Sequence, residues 1–164
     1  MSERAAELTL RFNETAERFA RLVESCDAAG WRTVTTAEQW PVGVVAQHVA
    51  LAPRVHVSWL RQMLAGDNLI EVTRTELDQA NAHYAERFSG VTQEQVLRTL
   101  RRNVGSAAGF IAGLDDEALG RTAQVALLGN VVVTVDQLTE HVLIGHIAGH
   151  MRSILTALPS SDNS

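Results

Sequence analysis

Four stretches of this chain carry apolar residues at three- and four-residue steps, each opened or closed by helix start and stop residues. A pattern of that period buries one face of a helix, so its most direct outcome is helices packed on helices. The first stretch sets Leu8, Phe12, Phe19, Leu22, Val23 and Cys26 at this spacing with Arg and Glu between them. It is expected to end near Ala29-Gly30, where glycine can take the left-handed cap. The second opens at Pro41, whose missing N–H would have no partner in a first turn, and runs through Val44, Val45, His48, Val49, Ala52, Val55, Trp59 and Leu60 to Gly66. Pro53 inside it is expected to bend the helix and to leave the Val49 carbonyl without its usual donor. Thr92 with Gln95 is a capping box and opens the third stretch, Val96 to Ile111. Gly105 and Gly109 weaken that helix, yet their four-residue spacing would also let a neighbouring helix approach closely. Thr134 with Gln137 repeats the capping box, and the last helix is expected to run to about Leu158, before Pro159.

The connections are less regular. Residues 31 to 41 read as a segment packed on the bundle. From Asp67 to Ser89 the weaker spacing of Leu69, Ile70, Leu77, Ala80 and Tyr84 suggests a short or irregular helix across one end. Asp115 to Leu119 reads as one turn, and the Val- and Leu-rich run 121–133, with Gly129-Asn130 inside it, as a small hairpin or extended arm. The expected fold is therefore all-α. It is a four-helix bundle with an additional short helix and an extended arm before the last helix, its connections too long for a minimal up-down-up-down series. There is no internal repeat or linker. A single domain is expected over residues 1–158, with a disordered tail, 159–164, that has nothing to bury.

Composition closes off several functions. The one cysteine, Cys26, excludes an intramolecular disulfide and a Cys-rich zinc module, and it reads as a small buried hydrophobe. A net charge of −5 argues against nucleic acid, and the triplet Arg98, Arg101 and Arg102 reads as a solvated face. No run of about 18 apolar residues is present to span a membrane, and Met1-Ser2-Glu3-Arg4 starts no secretory h-region, so a cytoplasmic location is expected. All fourteen basic residues are arginine, which reads as GC-rich codon usage.

What remains is histidine. Of six, His141, His146 and His150 fall within ten residues of the last helix. At about 100° per residue, His146 and His150 are about 40° and about 6 Å apart, so their rings can converge on one ion. His141 lies about 140° from His146 and is expected to face elsewhere. The i,i+4 spacing is that of a zincin pair, but Ile147 stands where the general base would be, which excludes that kind of zinc protease. His48, in the apolar setting of Val44, Val45, Val49 and Ala52, is the third candidate. Three inward imidazoles would otherwise need three separate hydrogen-bond partners, whereas one shared cation accounts for all of them. His56 and His83 are expected to be surface or core residues.

The run Trp40-Pro41-Val42-Gly43-Val44-Val45-Ala46-Gln47-His48, with Leu138, His141 and the segment His146 to Ile154 later in the chain, resembles the DinB-like superfamily. That group includes mycothiol-dependent maleylpyruvate isomerases and bacillithiol S-transferases. The resemblance covers about residues 5 to 158. It implies a four-helix bundle holding a divalent metal on His48, His146 and His150. Those isomerases resemble the chain only in their N-terminal part and carry a further domain, so their specific reaction is not expected here.

Three neutral imidazoles leave a bound ion its full charge and an open position, where the pKa of a thiol or water falls. Together with the resemblance, this chemistry suggests a metal-dependent thiol transferase or isomerase. The metal, zinc or else nickel, cobalt or iron, activates a low-molecular-weight thiol for attack on a small electrophile. The GC-rich composition favours mycothiol as that thiol. Trp31, Trp40, Trp59 and Tyr84 are expected to line the mouth. The alternatives are a metal-dependent hydrolase using metal-bound hydroxide and a non-catalytic metal-binding or oligomerising bundle. A homodimer through the exposed Val131, Val132 and Val133 is a further expectation.

Overall fold

The computed structural model describes residues 2–160, and in it the four periodic stretches are the long helices of a bundle. The expected disorder of the tail falls mostly on residues 161–164, outside the described residues. Helix α1 (Glu3–Ser25) starts where the Ser2 hydroxyl accepts the Ala5 N–H. It stops earlier than the glycine signal suggests. Asp27 accepts the Gly30 N–H at 2.7 Å and caps a separate short helix, α2 (Ala28–Arg32). Gly30 thus lies inside a helix and is no left-handed cap. Its missing side chain serves packing instead, since a Cβ there would stand 3.0 Å from Cys26 Sγ and from Leu158 Cδ2.

Helix α3 (Val42–Ala65) starts just after Pro41 and ends at Gly66, whose φ of 102° is the expected left-handed stop. It runs through Pro53 without a break. Pro53 takes the usual donor from the Val49 carbonyl, and one residue on, the buried Asn103 of a neighbouring helix donates Nδ2–H to the Ala50 carbonyl at 2.8 Å. The weakly periodic segment after α3 resolves into strand β1 (Leu69–Ile70) and two short helices, α4 (Arg74–Asn81) and α5 (Tyr84–Arg87). No residue of α4 or α5 is buried.

Helix α6 (Gln93–Ala112) opens on the Thr92–Gln95 capping box, and α7 (Asp116–Gly120) is the expected single turn. Strands β2 (Thr122–Val125) and β3 (Val131–Thr134) form the antiparallel hairpin, and β1 joins β2 in parallel to make a three-stranded sheet in the order β1-β2-β3. Two residues could not announce β1 by periodicity. The last helix is α8 (Val135–Thr139), a π-helical turn at Glu140–Ile144, and α9 (Gly145–Ala157). The extra residue of a π-turn shifts the helical phase of α8 relative to that of α9. His141 lies in that turn and is exposed.

The core runs between the four long helices through Phe12, Phe19, Leu60, Leu100, Ile111, Leu138 and Ile147. Arg4 to Asp136 and Arg11 to Glu140 pair α1 with the last helix at the surface. Arg98 and Arg101 pair with Glu94 and Glu24, consistent with a solvated arginine face. Among the described residues no helix is long and apolar enough to cross a membrane.

Two glycine substitutions should have opposite signs. Gly105 and Gly109 allow no close helix approach, because a Cβ at either meets nothing within 4 Å. Gly105→Ala should stabilise by about 0.5–1 kcal/mol, the ordinary gain in a helix interior. At Gly43 a Cβ would lie 2.6 Å from the Trp31 ring, which is pinned by its indole N–H donating to the Val91 carbonyl at 2.9 Å. Gly43→Ala should destabilise by about 1–3 kcal/mol. Urea midpoints of both variants check the pair, and the same sign for both would contradict the packing described.

Candidate metal centre

The site is built from α3, α9 and the loop between α2 and α3. The i,i+4 spacing on α9 puts His146 and His150 on one face, with ring centroids 4.5 Å apart. His48 on α3 meets both, at 4.9 and 5.0 Å. One nitrogen from each of the three rings lies within 4.8 Å of the other two, and His48 Nε2 and His146 Nε2 are 3.0 Å apart. Among the described residues this is the one grouping of metal-ligating side chains so close.

The loop supplies what spacing did not reveal. Val34 bridges to Pro41, the Thr35 N–H donates to the Trp40 carbonyl at 2.9 Å, and the Gln39 N–H donates to the Thr35 carbonyl at 3.0 Å. Gln39 is held at a φ of 58°, a region non-glycine residues seldom occupy. This turn carries Glu38 to α9, where His150 Nδ1–H donates to Glu38 Oε1 at 2.7 Å. A carboxylate only accepts, so the proton of His150 sits on Nδ1 and the Nε2 lone pair is left for the cluster. The hydroxyl of Ser153 donates to the other oxygen of Glu38. Burial works against the charged form of Glu38, but bonds from Ser153, Thr35 and His150 outweigh it and hold the carboxyl below its ordinary pKa.

His48, His146 and His56 are held neutral. Burial, aided by His150 and partly opposed by Glu38, pushes the His48 pKa down to about 4. Burial and then His56, His150 and His48 push His146 down as well. His56 is buried, with its ring 4.8 Å from His146 and 5.0 Å from Trp59, and burial with the surrounding histidines takes it down to about 3. It is a core residue as expected, but one that walls the cluster. His83 is exposed.

An aromatic wall closes one side. Trp40 and Tyr84 stack at 5.5 Å and 15°, and both stand edge-on to His48, at 5.8 and 5.5 Å. Burial raises the Tyr84 pKa to about 12 against the pull of Arg87. Trp31 does not belong to the mouth, since it packs on Gly43, about 140° round α3 from His48. Trp59 reaches the cluster only through His56.

The residues present fit a divalent cation. Two nitrogens bound at about 2.0–2.1 Å stand about 2.9–3.4 Å apart for ordinary bond angles. The 3.0 Å between His48 and His146 lies in that range. A histidine whose far nitrogen is tied to a carboxylate is the usual orientation of a metal ligand. Three imidazoles suit zinc, nickel, cobalt or iron.

The family model of the DinB superfamily matches residues 11–154. No curated protein sequence matches the chain. Among solved structures, an uncharacterized protein from Clostridium difficile 630 is similar with a TM-score of 0.69 at 14% identity, over 95% of this chain and 96% of that one. A mutant of the mycothiol-dependent maleylpyruvate isomerase gives 0.70 at 12% identity, over 95% of this chain but 62% of the isomerase. YfiT from Bacillus subtilis, described as a probable metal-dependent hydrolase with an unusual four-helix bundle topology, gives 0.68 at 16% identity, over 93% and 89%. At such identities the likeness shows the fold.

Proposed function

The chain belongs to the DinB superfamily, and from that premise we propose that it is a divalent-metal-dependent thiol transferase or thiol-dependent isomerase. His48, His146 and His150 are its metal ligands. The observation that carries this reading is the convergence of the three rings together with the Glu38 bond that fixes the tautomer of His150. A bound divalent ion would supply positive charge that acidifies a thiol brought against it near neutral pH.

The protein's own part is positional. Glu38 keeps the His150 proton on Nδ1. Trp40 and Tyr84 exclude water from the His48 side, and His56 does so behind His146. Cys26 is not the thiol, because it packs against the core near Gly30 and burial raises its pKa. An external low-molecular-weight thiol is therefore the partner. The similarity to a mycothiol-dependent enzyme supports mycothiol.

The same centre with water in place of thiol would act as a hydrolase, a reading supported by the description of YfiT. Metal-loaded protein incubated with a model electrophile and mycothiol, bacillithiol, glutathione or coenzyme A separates the two. Conjugate formation above background with mycothiol is expected. Absence of conjugate with every thiol, with ester hydrolysis present, would replace the transferase reading by the hydrolase one.

A further inference from the structure

A groove of about 720 Å³ opens between α3 and the segment that returns through α4. Its floor on α3 is Val55 and Trp59, and its opposite wall includes Leu77 and Ala80. Val55 is seven residues and Trp59 eleven residues beyond His48, each within about 20° of it round the helix. The groove therefore continues the stripe of α3 that carries the metal ligand, starting about 10 Å along. The other wall leads to the same place, because Tyr84, four residues past Ala80, stands against His48. None of the metal-site residues lines the groove, but groove and metal centre lie along one stripe of α3 and beside consecutive parts of the segment that runs from α4 to Tyr84. The wall formed by α4 has no fully buried residue and meets the core through the partly buried Leu77.

The lining has a definite polarity. Its apolar floor is edged by Asp67, Glu71 and Glu76, with no basic residue. Among the described residues none of these three carboxylates is in an ion pair. Glu76 accepts the Thr73 N–H as part of the α4 cap. An anionic ligand arm would meet like charge along this edge, whereas a cation would find unpaired carboxylates at the end of an apolar trough.

We infer that the groove between α3 and α4 binds the non-reacting arm of the substrate, an apolar body ending in a protonated amine. Its link to catalysis rests on the proposed metal-dependent function, but binding to the groove does not. The probes are 4-phenylbutylamine and 4-phenylbutanoate, titrated calorimetrically into metal-free and metal-loaded protein. The amine is expected to bind at least about ten-fold tighter than the acid in both forms. Ala80→Trp, at an exposed position, should fill the groove and weaken the amine by a similar factor. Asp67→Asn combined with Glu71→Gln should remove the discrimination and leave the fold intact. Equal binding of acid and amine, or amine binding untouched by Ala80→Trp, overturns the assignment. Amine binding to protein that holds no metal would preserve the groove while the metal reading failed. Full metal content without amine binding would do the reverse.

Discussion

Glu38→Ala is expected to weaken metal binding by about 10- to 100-fold, the usual consequence of removing a carboxylate behind a ligating histidine. The cause is local. Without Glu38 the Nδ1–H of His150 loses its acceptor at 2.7 Å, and the ring is free to rotate or to move its proton to Nε2. Either change takes the lone pair away from His48 and His146. Ser153→Ala removes the bond that orients Glu38 and should have a smaller effect in the same direction. Glu38→Gln keeps the shape and one acceptor oxygen, so it should fall between wild type and alanine. Competition against a chelator of known affinity measures all three. Wild-type affinity in Glu38→Ala would show that His150 does not depend on the carboxylate.

A second large effect is acid lability of the metal-free protein. His48, His56 and His146 all have pKa values below the ordinary 6.5 in the folded state, His48 at about 4 and His56 at about 3. The unfolded chain therefore binds more protons than the folded one once the pH drops below about 6.5, and stability falls as pH falls. Above that value all three are neutral in both states and the penalty is absent. Between about pH 6 and pH 4 the difference approaches three protons, a slope of up to about 4 kcal/mol per pH unit. Bound metal adds stability at pH 7 by mass action and loses it over the same window, because only neutral imidazole is a ligand. Urea titrations of metal-free protein from pH 7.5 to 4.5 measure the slope. His56→Phe should flatten it by about one proton, and a midpoint independent of pH would contradict the buried neutral cluster.

The parts of this architecture that are legible in the sequence are those with a local physical cause. Thr92–Gln95 and Thr134–Gln137 mark helix starts because the cap bonds lie within four residues, and both are present. His146 and His150 share a face because helical phase alone sets it. The long-range partners are not legible. Glu38 reaches His150 across 112 residues through a turn that depends on one left-handed glutamine. Asn103 reaches the Ala50 carbonyl across 53 residues from another helix, a contact that no local pattern announces. The π-turn at Glu140–Ile144 carries no recognised residue pattern, so periodicity alone suggests a single uninterrupted helix there. Ser153 is the residue that helical phase could have found, since i,i+3 from His150 places it on the ligand face.

Every catalytic reading depends on whether the three histidines hold a metal. Elemental analysis of purified wild type beside His48→Ala and His150→Ala, after equal exposure to divalent ions and removal of excess, tests this directly. Wild type should retain about one ion per chain and both variants should retain almost none, because two imidazoles cannot keep what three hold. Negligible metal in wild type, or unchanged content in both variants, would contradict the account.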